Sequence, residues 1–352
     1  MAEFDWKTFD NQFNRQVIAI YNMVQDVRLK EIGKGKPLIG RWSCVIKKLR
    51  SEVVPCPCVK KRHVLSGITV KEAMRRQVIK LPRSAPIDYC INRMIKYKIN
   101  SVLLIDGKQR FLGIVSKTDI MSAFYEGFPI QTPVADIMVG PPLYCNADDD
   151  LESSLDVMHH SRVHRLYVLG ADANEVIGVL AYPDIVGLLY RYCRACDKGL
   201  LKARRRSEED EYQHLKVKEV MTASVTAYRE NEALVTVVEG LTEHRCGAVL
   251  ITDAGNKAVG VVSKSDLIVA YKHGVAVDVR ARTVMSTPVK SCHREAQLSN
   301  AIQQMLLRDV QRIFVHASDP AKIVGVLSLS DAARFRSGSC RACTSSRLMQ
   351  TE

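Results

Sequence analysis

From Ile68 onward the chain alternates short apolar runs with longer stretches in which apolar residues return every three or four positions. The first cycle shows the pattern. Val78–Leu81 predicts a strand. Ala85–Lys98 places Ile87, Cys90, Ile91, Met94 and Ile95 on one side of a 3.6-residue period and predicts a helix. Ser101–Ile105 and Phe111–Ser116 are apolar strands separated by Asp106-Gly107, a strong turn signal. Lys117–Phe128 predicts a second helix. Residues 1–67 follow a different pattern. Phe4, Trp6, Phe9, Phe13, Val17, Ile20, Tyr21, Val24 and Val27 step mostly by three or four, as one face of an amphipathic helix does. Gly33, Gly35 and Pro37 stop it, a second helix is predicted over Trp42–Val54, and Pro55 and Pro57 precede the cycles. Both helices are expected to pack on the domain behind them, as apolar stripes usually do, with a docking arm for a partner as the alternative.

The cycle is a repeat. The segment from Gly113 to Ile120, GIVSKTDI, returns as GVLAYPDI from Gly178, GVVSKSDL from Gly260 and GVLSLSDA from Gly325. Met74 to Met221, Met138 to Met285, Gly113 to Gly260, Gly178 to Gly325 and Cys193 to Cys340 are all separated by 147 residues. Gly113 to Gly178 and Gly260 to Gly325 are both separated by 65. A tandem pair was therefore duplicated as a pair. The expected fold is α/β (α+β), with units of strand, helix, strand, strand and helix at 68–128, 133–192, 215–273 and 278–338. A helical extension covers 1–67, a linker 193–214 and a tail 339–352. A unit of this length is marginal alone, so units should pack in pairs and leave clefts between paired sheets.

The repeated turn places polar groups at such a cleft. Ser116 and Asp119 lie one helical turn apart at a helix start, where free N–H groups and the dipole favour an anion. A carboxylate there can accept two hydrogen bonds from adjacent hydroxyls, such as those of a ribose. The same residues also suit a helix cap, and the spacing alone leaves both readings open. Ahead of the second strand, the even units carry Val163-His164-Arg165 and Val310-Gln311-Arg312. A basic pair opening a strand beside a helix N-terminus fits a phosphate.

Taken together, the four units resemble the CBS-domain family, named after cystathionine beta-synthase, and within it the gamma regulatory subunits of AMP-activated protein kinase. The resemblance implies two Bateman modules that bind adenine nucleotides (AMP, ADP, ATP) or a related adenosyl ligand and regulate a partner protein, with no chemistry and no required cofactor. It also implies ribose contacts at Ser116 with Asp119, Asp184, Ser263 with Asp266, and Ser328 with Asp331. Phosphate contacts fall on His164, Arg165 and Arg312. The base pocket falls on Thr222, Cys246, Ile99, Val163 and Val310, with Thr222 and Cys246 facing Ser328 and Asp331. Ala181 stands where a hydroxyl is expected, so the Asp184 cleft is the weakest ribose candidate. The second module keeps both Ser-x-x-Asp pairs and is expected to hold the better adenosine site, whereas the first keeps the better phosphate pair, and which module dominates is open at this stage.

Composition adds less. The net charge of +13 suits an anionic ligand, and no aromatic-interleaved basic motif accompanies it, so nucleic acid is not the expected partner. No phosphate-loop, nucleophile-elbow or zinc-helix motif is present, and the chain is not expected to be an enzyme. There is no apolar run of the roughly 18–20 residues that a membrane helix needs, and no basic start followed by an apolar core, so a cytoplasmic location is expected. Eleven cysteines include three close pairs: Cys193 with Cys196, Cys340 with Cys343, and Cys56 with Cys58. The CxxC residues Cys193, Cys196, Cys340 and Cys343 are the metal-ligand candidates. They carry the rival reading, a metal- or redox-switched regulatory protein, a transcriptional regulator among them. A homodimer and a single-chain disc are both open at this stage.

Overall fold

The computed structural model of the chain describes residues 67–108, 110–171, 175–191, 213–334 and 345–346. The expected N-terminal helices lie outside the described residues. So do the metal-ligand candidates Cys193, Cys196, Cys340 and Cys343, and Cys56 with Cys58. In the first repeat, α1 (Val70–Ala73) leads into β1 (Lys80–Pro82), α2 (Ile87–Lys96), β2 (Ser101–Ile105), β3 (Phe111–Ser116) and α3 (Lys117–Tyr125). The second comprises β4 (Tyr144–Asn146), α4 (Leu151–His160), β5 (Arg165–Leu169), β6 (Val176–Ala181) and the helix α5 over 182–191. After β7 (Gln213–His214) come β8 (Ala227–Arg229), α6 (Leu234–Glu243), β9 (Ala248–Thr252), β10 (Ala258–Ser263) and α7 (Lys264–Lys272). The fourth comprises β11 (Ser291–His293), α8 (Leu298–Leu307), β12 (Arg312–His316), β13 (Ile323–Ser328) and α9 (Leu329–Arg334), and β14 (Ser345–Ser346) pairs with β7. Each repeat forms one three-stranded sheet. In the first, β1 runs parallel to β2 with Lys80 opposite Leu103, and β2 runs antiparallel to β3 with Ser101 opposite Ser116.

Local chemistry sets the element ends. Helix α2 buries Ile87, Cys90, Ile91 and Met94, the i, i+3, i+4, i+7 stripe of an amphipathic helix. Ile95 is 44% exposed, so the buried face is narrower than predicted. The helix stops before Lys98, which takes a left-handed φ of 52°. Helix α3 ends at Tyr125, ahead of Gly127 at φ 73°, a conformation glycine adopts without a Cβ penalty. Asp106 organises a turn longer than two residues. Its carboxylate accepts from Lys108 N at 2.8 Å, Arg110 N at 2.9 Å and Arg110 Nε at 2.7 Å.

The repeats are joined by exchanged backbone segments. Arg75 in the first repeat trades two backbone hydrogen bonds with Val179 of β6 in the second, at 2.9 and 2.8 Å. Val139 pairs likewise with Ile114, Thr222 with Val326 and Ser286 with Val261. The residue before each is a methionine, and its thioether lies over the glycine of the companion strand. A Cβ on Gly178 would stand 2.7 Å from Met74 Sδ, on Gly325 2.7 Å from Met221 Sδ, and on Gly260 2.5 Å from Met285 Sδ. The shared 147-residue spacing of Met and Gly is thus the spacing of one packing contact used four times.

The hydrophobic interior divides in an unexpected way. One core joins the first and third repeats, with Ile87, Ile91, Met94, Ile120 and Met121 packed with Val237, Leu241, Leu267 and Ile268. A second joins the second and fourth, with Leu151, Leu155 and Met158 packed with Leu298, Ile302 and Met305. Leu103, Tyr167 and Val176 form a small cluster between the first two sheets. Sheets therefore pair within each half of the chain, and helices pair across the halves. Phe124 stacks on Tyr271 at 5.2 Å, and Tyr271 Oη donates to Phe128 O at 2.6 Å across that join. Each fully buried Leu, Ile or Met contributes about 1.5–3 kcal/mol, so both halves are needed to fill either core.

Candidate functional site

The third strand of each repeat delivers the chain into a helix start. Ser116 Oγ accepts from Asp119 N, and Asp119 Oδ2 accepts from Ser116 N at 2.7 Å, a reciprocal cap. Ser263 with Asp266 and Ser328 with Asp331 form the same arrangement, with the aspartate accepting from the serine N–H at 2.8 and 3.0 Å. Each aspartate thus commits Oδ2 to its own serine. Its function beyond capping depends on Oδ1.

The four aspartates differ at that atom. Asp266 Oδ1 accepts from Ser286 Oγ at 2.6 Å. Asp184 Oδ1 accepts from Arg75 at 3.0 Å, while its Oδ2 accepts from Ala181 N at 3.2 Å. Burial pushes the Asp184 carboxyl up, and Arg75 opposes the shift. Among the described residues, Oδ1 of Asp119 and of Asp331 has no hydrogen-bond donor. The sequence grouped Ser263–Asp266 with Ser328–Asp331. The geometry separates them, because the residue that follows Met285 is a serine able to reach the carboxylate.

The cations converge. A cleft of about 800 Å³, counting its solvent-open part, lies between the first, second and fourth repeats. Lys98, Ile99, Asn100 and Ser101 form one wall, His164, Arg165 and Asp184 another, and Gln311, Arg312, Ser328 and Ser330 a third. Arg165 donates to Ser101 O at 3.4 Å and Arg312 to Ala248 O at 3.5 Å. Among the described residues neither lies within 4 Å of a carboxylate. Burial lowers the pKa of both guanidinium groups. The cleft that the missing hydroxyl at Ala181 marked as weakest is therefore the one framed by both arginines. The carboxylate kept there is already engaged by Arg75, so the cation-rich part, not Asp184, gives the cleft its character.

Of the other predicted residues, Thr222 lies beside β13 through its bridge to Val326, and Cys246 lies near Arg312, whose charge opposes the upward shift that burial imposes on the thiol. Val163 and Val310 pack against the core of the second and fourth repeats and are absent from the walls of this cleft. The sequence missed two lysines. Lys117 Nζ donates to Ser265 Oγ at 2.7 Å, and Lys264 Nζ donates to Thr118 Oγ1 at 2.8 Å, so the starts of α3 and α7 clasp each other. Burial, then the Arg165 charge, pushes Lys117 down to about 8. Burial and Arg312 lower Lys264. Both occupy the position after Ser in GIVSKTD and GVVSKSD, a signal visible only if that residue is known to face the other half.

The described residues place no metal or redox centre in the repeats. Cys90, Cys145, Cys246 and Cys292 are free, and burial raises Cys90 and Cys145 to about 12 and Cys292 to about 11, far from reactive thiolates. Among the described residues no group of three or more His, Cys, Asp or Glu side chains is placed to hold a metal. The proposed ligand pairs, Cys193 with Cys196 and Cys340 with Cys343, fall beyond those residues, and the structure assigns them no site. No described helix is long and apolar enough to cross a membrane.

Four strand-helix-strand-strand-helix units, exchanged in pairs around a cationic cleft, define a tandem-repeat α/β protein. The CBS domain family matches residues 70–126, 134–191, 217–273 and 281–338, well over half of the chain, and the chain belongs to that family. It is similar to the 5'-AMP-activated protein kinase subunit gamma-3 of Sus scrofa, 23% identical over 248 residues, which cover 64% of this chain and 46% of that protein. The kinase gamma subunit of Dictyostelium discoideum is 24% identical over 230 residues, covering 61% of this chain and 37% of that protein. The chain thus spans less than half the length of these two relatives. Among solved structures, a Methanocaldococcus jannaschii protein proposed as an archaeal homologue of g-AMPK superposes with a TM-score of 0.62 at 16% identity. That match covers 76% of this chain and 99% of the other, and it shows a shared fold.

Proposed function

We propose that the chain is a ligand-sensing regulatory protein without chemistry of its own. It binds an adenine nucleotide or related adenosyl ligand between paired repeats and modulates a partner protein. One observation carries the reading: Arg165 and Arg312, from different halves of the chain, frame one cleft as half-buried guanidinium groups with no carboxylate within 4 Å among the described residues. A buried cation is costly unless an anion pairs with it, and planar guanidinium suits a phosphate. Lys117 and Lys264 lie behind them and add to the positive field. The likeness to kinase gamma subunits supports the same reading.

In this reading Arg165, Arg312 and His164 take the phosphates. Asp331 and Asp119, which lie outside the walls of that cleft, take ribose hydroxyls through the Oδ1 that no described donor occupies, and Ile99 contributes to a base pocket. An anion touching repeats from both halves stabilises the arrangement in which they meet, and it biases the protein only by its differential affinity for that arrangement. Thermal unfolding with AMP, ADP, ATP and S-adenosylmethionine tests the proposal. A selective ligand at 100 times its dissociation constant should stabilise the protein by about 2.7 kcal/mol. A flat response to all four, with no nucleotide carried through purification, would overturn it.

A further inference from the structure

After the helix that leads into the second strand of each repeat stands a non-glycine residue with left-handed backbone. These are Lys98, Arg162, Arg245 and Asp309, with φ of 52°, 53°, 48° and 52°. Lys98 and Arg245, and likewise Arg162 and Asp309, are related by the same 147-residue period. Three of the four equivalent positions are basic and one is acidic. The acidic one reaches the first repeat: Asp309 Oδ2 lies 3.0 Å from Lys98 Nζ. The Lys98 and Asp309 side chains are 69% and 56% exposed, and ion pairs in that setting add little to stability. The pair sits at the rim of the cleft. Lys98 lines it, Gln311 and Arg312 follow Asp309 closely in the chain, and the Asp309 charge extends to Lys117.

We propose that Asp309 is a specificity-determining residue: by holding Lys98 and placing a negative charge at the rim, it makes the cleft discriminate among anions by phosphate number. The inference rests on the reading of the cleft as a nucleotide site. A single phosphate is served by Arg165 and Arg312. Each further phosphate extends toward a rim where the nearest lysine is engaged and a carboxylate repels. In the other three repeats the equivalent residue would attract that charge.

The test is Asp309→Asn. Asparagine tolerates the left-handed backbone as aspartate does, so the change removes charge and leaves the turn. Affinities of the full chain are measured by calorimetry, without divalent cations, for AMP, ADP and ATP and for inorganic phosphate, pyrophosphate and tripolyphosphate. The variant should gain affinity on the order of threefold per added phosphate charge, with AMP and phosphate nearly unchanged, as a unit charge felt through solvent-rich surroundings implies. Equal gains in every series, or no gain, would overturn the proposal. Graded gains for the inorganic anions, with nucleotides binding no better than those anions, would uphold the selector and sink the nucleotide reading. If no anion binds either form, both fall.

Discussion

Substituting Gly260 by alanine probes the contact that repeats four times through the chain. The new Cβ would lie 2.5 Å from Met285 Sδ, 2.9 Å from its Cγ and 3.2 Å from its Cβ, so the three nearest obstructing atoms all belong to that side chain. Overpacking of this kind costs about 1–3 kcal/mol. Met285→Ala alone removes packing from a partly buried side chain, at about 1–2 kcal/mol. In the double variant the two closest obstructing atoms are gone, and a contact of 3.2 Å is relieved by a small shift. The pair should therefore couple favourably by about 1–2 kcal/mol. The equivalent pair in the first repeat supplies the control. A Cβ on Gly113 would lie 2.7 Å from the Val139 carbonyl oxygen and 3.3 Å from Met138 Sδ. That carbonyl accepts from Ile114 N at 2.7 Å and cannot retreat without breaking the exchanged ladder. Gly113→Ala should be as costly, and Met138→Ala should not rescue it. The assay is urea unfolding of the full chain, comparing midpoints where the slope is unchanged. Additive losses at 260 and 285, or equal coupling at both pairs, would refute the packing account.

Further outcomes follow from the cleft. Asp331→Asn should weaken an adenosyl ligand about 10- to 100-fold, the scale of a charge-assisted hydrogen bond, whereas Asp266→Asn should change binding much less because Ser286 already occupies Oδ1. Titration calorimetry of both variants decides this, and equal losses would contradict it. Lys117, held at about 8 instead of its ordinary 10.5, gives a pH dependence with a definite sign. Its folded pKa is lowered, so between pH 8 and 10.5 the unfolded chain binds more protons, and stability of the ligand-free protein should rise across that window. Anion affinity should fall as pH rises through 8, where Lys117 loses its charge. Lys117→Gln should flatten both profiles, measured by thermal unfolding and calorimetry, and unchanged profiles in that variant would exclude Lys117 as the cause.

Much of the fold was legible because its causes are local. The Ile87, Cys90, Ile91, Met94 stripe, the apolar run of Ser101–Ile105 and the Ser-x-x-Asp caps each follow from a few neighbouring residues. The 147-residue period added the pairing of units. The sharing of cores between the first and third repeats, and between the second and fourth, was not legible, since an apolar helix face does not name its partner. The same gap hid Lys117 and Lys264, whose contacts exist only because α3 and α7 face each other. It also hid Arg75 on Asp184 and Ser286 on Asp266. These contacts span 109 and 20 residues and depend on the exchanged segments.

The most direct measurement is calorimetric titration of the full chain with AMP and with adenosine, for the wild type and for Arg165→Gln combined with Arg312→Gln. The wild type should bind AMP more tightly than adenosine. The double variant should lose that advantage, with AMP weakened at least about tenfold and adenosine little changed, as removal of charge-assisted phosphate contacts requires. Absence of AMP binding to the wild type, or AMP binding that is indifferent to both arginines, would contradict the account.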